Sequence, residues 1–224
     1  YLHDICSAVH PFAVVSPFFN SLPLSAHGLE WITPPVMLAH PLDDAPAACM
    51  YRSVQRTAET LERDGSAYQR LMDPLVESWA SIADSILGPL RWPRHPLALA
   101  RFGVRALQPA TLFARRTFAG ARARALLAGI AAHGMIPLAN SPSAGIGLAL
   151  NLTGHVGGWC LPRGGAQTIT NALATHLVSL GGEIVSGKPV KSIEELPPAK
   201  AVLCDLSPRP FLHIAEHRLP PRFR

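Results

Sequence analysis

The sequence predicts a mixed α/β fold, α+β in overall balance, with a largely helical middle and a C-terminal part of strands around one helix. Three observations predict it. Apolar residues recur every three or four positions between Ala45 and Leu87 and again from Gln167 to Leu180. Short apolar runs bounded by proline or glycine lie at 31–38, 159–161 and 183–204. With 48% of the 224 residues hydrophobic and 16% charged, against about 25% charged in a typical domain, the chain can bury a core and is not a solvated, disordered polymer.

Trp31-Ile32-Thr33 and Val36-Met37-Leu38, set off by prolines, read as short strands. Two helices follow over 45–87. The first has Cys49, Met50, Val54 and Leu61 on its apolar face and breaks at Asp64-Gly65. The second carries Tyr68, Leu71, Leu75, Trp79, Ile82 and Ile86, with a kink or restart expected at Pro74 and an end at Gly88-Pro89. Residues 125–162 carry no formal charge, yet Gly134, Pro137, Asn140 and Pro142 interrupt them. They read as a buried helix pair or the lining of an apolar pocket, not as a membrane span. Trp159-Cys160-Leu161 is a strand, 162–165 a turn, and 167–180 a helix closed by Gly181-Gly182. Strands are expected at 183–186, 190–193 and 201–204, the last apolar enough for a sheet covered on both faces.

Charge is unevenly spread. Between Asp84 and Glu183 stand nine arginines, no lysine and no acidic residue, in a chain of net charge +5. Such a block suits an anionic partner. Over 91–124 the arginines alternate with Leu97, Leu99, Phe102, Val104, Leu107, Leu112, Phe113 and Phe118, a pattern that fits a helix lying on a membrane surface. A solvated helix face is the plainer alternative. Nucleic acid is disfavoured, because no recognition motif is present and stacking aromatics are sparse.

Several short motifs suggest chemistry. Gly182 to Lys188 matches GxxxxGK, but Pro189 stands where Ser or Thr must hold magnesium. His213-Ile214-Ala215-Glu216-His217 matches HxxEH, with no further ligand in view, and reads better as an exposed helix end. Gly145-Ile146-Gly147 lacks the third glycine of a dinucleotide fingerprint. Asn151-Leu152-Thr153 is a glycosylation sequon. His3 and Asp4 stand near Cys6 and Ser7, a nucleophile-and-base pairing that sequence neighbours seldom complete. Four scattered cysteines form neither a disulfide scaffold nor a CxxC pair. Pro162-Arg163-Gly164-Gly165, entering a helix, lets a ligand approach the backbone closely or simply turns the chain.

That turn belongs to an ordered series: the helix after it, Gly181-Gly182-Glu183-Ile184, Pro189-Val190-Lys191-Ser192-Ile193, and Ala201-Val202-Leu203-Cys204-Asp205-Leu206-Ser207-Pro208. The series resembles the middle of the phytoene-desaturase-like flavoprotein oxidoreductases, relatives of the amine oxidases. His3-Asp4-Ile5-Cys6-Ser7-Ala8-Val9-His10-Pro11 resembles the segment after the first nucleotide-binding βαβ unit of that family. The resemblance implies a partial FAD-binding, Rossmann-like domain with an inserted, largely helical substrate domain. Residues 1–28 would follow the nucleotide-binding unit, 29–158 form the substrate domain, and 159–224 belong to the flavin domain. It implies FAD as cofactor, with Gly164, Gly165, Val190, Cys204 and Asp205 as cofactor-binding residues and the Val190 backbone near the adenine end. The implied reaction is hydride removal from a lipophilic small molecule, with the flavin carrying the chemistry.

No catalytic acid, base or nucleophile is assigned, and no metal is expected. The GxGxxG unit is absent from the sequence, so the chain reads as an interior piece of a longer enzyme, inactive by itself. The expected location is the cytoplasm, with peripheral membrane contact through 91–124. The alternative function is a non-enzymatic membrane-surface or protein-binding module derived from such an enzyme.

Overall fold

The computed structural model describes residues 3–89 and 91–223. They are 54% helical and 7% strand, so sheet enters only as two short pairs. The chain divides into one compact unit running to His176 and another from Leu177 onward.

In the first unit Pro11 and Pro17 open α1 (Pro11–Val15) and α2 (Pro17–Ser21), at a position where the missing N–H would have had no intrahelical partner. β1 (Trp31–Ile32) comes next, then β2 (Leu38–Leu42) and β3 (Ala45–Met50), an antiparallel hairpin with Leu38 opposite Met50. α3 (Val54–Glu59) starts at Ser53, whose hydroxyl accepts from the Arg56 amide at 3.1 Å. α4 (Gly65–Glu77), α5 (Trp79–Leu87), α6 (Pro96–Ala106), α7 (Ala110–Thr117), α8 (Ala121–Ala131) and α9 (Ser143–Val156) form the helical body. β4 (Leu161–Pro162) returns to pair with β1, Trp31 opposite Pro162. α10 (Gln167–Ser179) ends beyond the unit boundary.

α8 and α9 pack at the centre, with Leu126, Ile130, Leu148 and Leu152 wholly buried. The approach is close because α9 carries glycines on its packed faces. A Cβ at Gly145 would stand 2.9 Å from the Ala106 carbonyl oxygen of α6, and one at Gly147 3.0 Å from the Ala131 methyl of α8. The Asp64 carboxylate accepts from the Ala119 and Gly120 amides at 2.8 and 2.6 Å, tying the start of α4 to the start of α8. A smaller cluster joins Leu24 and Leu29 to Ala172 of α10.

Four expectations are corrected. Cys49 and Met50 lie in β3, not in a helix: burial alternates along it, with Ala48 and Met50 inside, which is the two-residue period of a strand. The strand expected at 36–38 begins only at Leu38. Pro74 lies inside α4, and the break comes at Ser78, whose hydroxyl donates to the Pro74 carbonyl at 2.7 Å. The strands expected at 183–186, 190–193 and 201–204 are absent. Those segments are mostly exposed and form no ladder with one another, so no Rossmann-like sheet is built from them among the described residues. A strand satisfies its backbone only through a neighbour, and none is present.

The second unit contains α11 (Pro208–Ala215) and short 3-10 turns at Ile193–Glu195, Glu216–Arg218 and Pro221–Phe223. Among the described residues, no helix is long and apolar enough to cross a membrane. The uncharged stretch 125–162 instead supplies most of α8, all of α9 and the β4 segment.

Candidate functional site

Gly164 and Gly165 form the turn before α10 in the first unit. Both have left-handed backbone, φ +87° and +90°, which favours glycine. The Ala166 amide that follows donates to Asp4 Oδ1 at 2.9 Å, and a Cβ on Gly165 would lie 3.3 Å from the same oxygen. Asp4 therefore already fills an anion position at this helix start. Beside it, Arg163 Nε meets Glu30 Oε2 at 2.7 Å and the Arg163 amide donates to the Glu30 carbonyl. The structure thus brings 4, 30 and 163–166 together, and this employs Asp4 in capping. Ser7 Oγ donates to the Val9 carbonyl, so Asp4 and Ser7 have partners other than each other.

Val190, Cys204 and Asp205 converge in the second unit. They line one cavity of about 500 Å³, with Leu196, Leu206 and His213 among its other walls. The Val190 backbone amide and carbonyl make no hydrogen bond among the described residues. Gly164 and Gly165 are not part of this lining.

A third feature combines chain segments that sequence reading kept apart. Val9 and Phe12 join His133, Ile146, Leu150 and Trp159 around a cavity of about 410 Å³ in the first unit, with Cys6 and Ser7 on its wall. The His133 ring meets Trp159 edge-on at 5.5 Å. Most of this lining is apolar, as expected for part of 125–162. Elsewhere in the first unit, the buried Tyr68 hydroxyl donates to Asn151 Oδ1 at 2.7 Å and lies 2.7 Å from His155 Nε2. Burial pushes the Tyr68 phenol up and the His155 imidazole down, so both are neutral near pH 7. Asn151 is 1% exposed, which closes the sequon to any modifying enzyme in the folded chain. No local pattern announced this cluster, since Tyr68 and Asn151 belong to different helices.

The remaining motifs resolve structurally. Gly145 and Gly147 serve helix packing. The GxxxxGK stretch leads into no α-helix, only the 3-10 turn at Ile193–Glu195. In HxxEH, α11 ends at Ala215, so Glu216 and His217 have left the helix that carries His213. His217 Nε2 instead sits 2.5 Å from Glu194 Oε1, and Arg218 Nε reaches the same oxygen at 2.6 Å. The Ser192 hydroxyl first, then Arg218 and His217, hold the Glu194 carboxyl well below the usual carboxylate range. No group of three or more His, Cys, Asp or Glu among the described residues is arranged to hold a metal.

The arginine block is also sorted by the structure. Arg91 and Arg94 pair with Asp84, Arg122 with Glu62 and Arg163 with Glu30. Phe102, Phe113 and Phe118 point into the core rather than outward.

No family model matches the chain, and no curated protein or solved structure matches it.

Proposed function

We propose that the chain is part of an FAD-dependent oxidoreductase of the phytoene-desaturase-like kind, which takes hydride from an apolar substrate. The observation that carries the reading is the convergence of Val190, Cys204 and Asp205 on one cavity of about 500 Å³, a size suited to a small-molecule site. These are three of the five cofactor residues that the resemblance implies, Gly164 and Gly165 being the others. The chemistry of the three fits the nucleoside end of the cofactor. Apolar walls accept a flat base, the unengaged Val190 backbone offers one donor and one acceptor, and the Asp205 carboxylate accepts from a hydroxyl or amino group. Gly164 and Gly165 have a different part in this reading: they keep the turn closed on Asp4. FAD, when bound, supplies the hydride acceptor. The apolar cavity beside Trp159 is the place for a lipophilic substrate.

The test is titration of the purified chain with FAD, followed by quenching of flavin fluorescence, with AMP as competitor. Weak saturable binding that AMP displaces is expected, without turnover. Val190→Pro, which removes the amide donor, and Asp205→Ala should each weaken binding about two- to tenfold. Failure of FAD to bind, or binding indifferent to AMP and to both variants, defeats the proposal and leaves the non-enzymatic module in its place.

A further inference from the structure

α6 exposes a stripe that its own core does not use. Leu97, Arg101 and Val104 fall on one side of the helix at 3.6 residues per turn, while Phe102 and Ala106 face the opposite way into the core. Leu97 is 78% exposed, Val104 72%, Leu107 just past the helix 68%, and Trp92 just before it 89%. Leu97 and Val104, two turns apart on one side of α6 with Trp92 and Leu107 exposed at its two ends, mark an interaction surface. Arg101 and Arg105 border the same stripe and pair with no carboxylate among the described residues. Both also line a cavity of about 280 Å³ whose other walls include Leu71 and Leu75 of α4 and Ala98 of α6. The acidic residues of α4, Asp73 and Glu77, do not line it.

We infer that this face docks on an anionic phospholipid bilayer, with Trp92, Leu97, Val104 and Leu107 entering the acyl boundary and Arg101 and Arg105 binding a lipid phosphate at the mouth of the α4–α6 cavity. Charge decides the occupant. Arg101 and half-buried Arg105 lack carboxylate partners among the described residues, and an amphipathic helix with arginines beside aliphatic residues is held by both terms at an anionic surface. A second copy of the chain is a poor occupant, because a two-fold contact would set Arg101 and Arg105 against their own equivalents. Single-stranded nucleic acid needs stacking rings, and Leu97, Val104 and Leu107 have none.

The inference does not depend on the flavin reading, because partition is measured without flavin. The purified chain is sedimented with vesicles of phosphatidylcholine alone and of phosphatidylcholine mixed with phosphatidylglycerol. Partition into the mixed vesicles only is expected, falling as salt is raised. Brominated acyl chains should quench tryptophan emission in the chain but not in a Trp92→Phe variant's remaining signal. Arg101→Gln with Arg105→Gln should lower partition about thirtyfold, at about fivefold per arginine. Leu97→Ser with Val104→Ser should lower it at least about tenfold. Lys200→Gln, which removes one positive charge in the second unit, should leave it unaltered. Apart from half-buried Arg105 these side chains are exposed, and the salt and quenching readouts stand without any variant. Equal binding to neutral vesicles, no binding to either, or anionic binding insensitive to both double variants overturns the inference.

Discussion

The two units differ in what their apolar residues touch. In the first, Leu126, Ile130, Leu148 and Leu152 are enclosed between α8, α9 and their neighbours. In the second, Leu203 is 95% exposed and Ala215 is the one buried hydrophobic residue among those described. Apolar content alone does not separate the two. A helix closes its own backbone hydrogen bonds and needs its neighbours only to bury one face. A strand needs a neighbour even for its backbone. Segments 183–186, 190–193 and 201–204 are strands in composition but form no ladder and stay mostly exposed, and Ile193 opens a 3-10 turn instead. Val190, Val202 and Leu203 of the last two segments still serve one purpose visible within the unit, as walls of the cavity that Cys204 and Asp205 also line.

The sharpest way to break this contrast is a matched pair of truncations. Ile130→Ala should lose about 2–5 kcal/mol in urea unfolding, because it opens a cavity in a packed core. Leu203→Ala should stay within about 0.5 kcal/mol. Comparable losses would mean that the second unit has a core of its own. A gentler probe is pH. Burial is the main cause that lowers the His155 and His40 imidazoles below their ordinary 6.5, and His133 adds to it at His40. As pH falls through 6.5 the unfolded chain takes up these protons before the folded one does. Stability is therefore full above that value and declines below it, toward the depressed native values. Thermal melts across this range should show the decline, and His155→Gln should flatten it. A melting temperature that rises on acidification would contradict the buried, neutral assignment. A smaller loss than at Ile130 is expected at the start of α10. Asp4→Ala removes the acceptor for the Ala166 amide and should cost about 0.5–2 kcal/mol in the same assay. An unchanged midpoint would show that the 164–166 turn holds without Asp4.

Much of the helical body was legible from spacing. The apolar positions Tyr68, Leu71 and Leu75 are buried in α4 as their period requires, and α10 starts directly after the Gly-Gly turn. β3 was not legible, because Met50, Val54 and Leu61 satisfy a helical spacing, while the alternation of Ala48 and Met50 shows only in burial. The arginine block was legible as charge but not as surface. Only packing shows that Phe102, Phe113 and Phe118 are core, that four of the arginines are paired with acids, and that Arg101 and Arg105 are not. Nor did spacing indicate the cavity beside Trp159, whose walls come from 6–12 and 133–159.

By itself the sequence determined that helices form within 66–87 and 167–180 and that a glycine-containing turn precedes the second, though not the break at Ser78. These depend on interactions within a few residues. Tertiary structure alone decided which candidate strands found partners, that Asp4 caps α10, that Asn151 is enclosed with Tyr68 and His155, and which arginines lack counterions. Each of these joins groups far apart in the chain, and their pairing is settled by burial and by the hydrogen bonds that burial obliges.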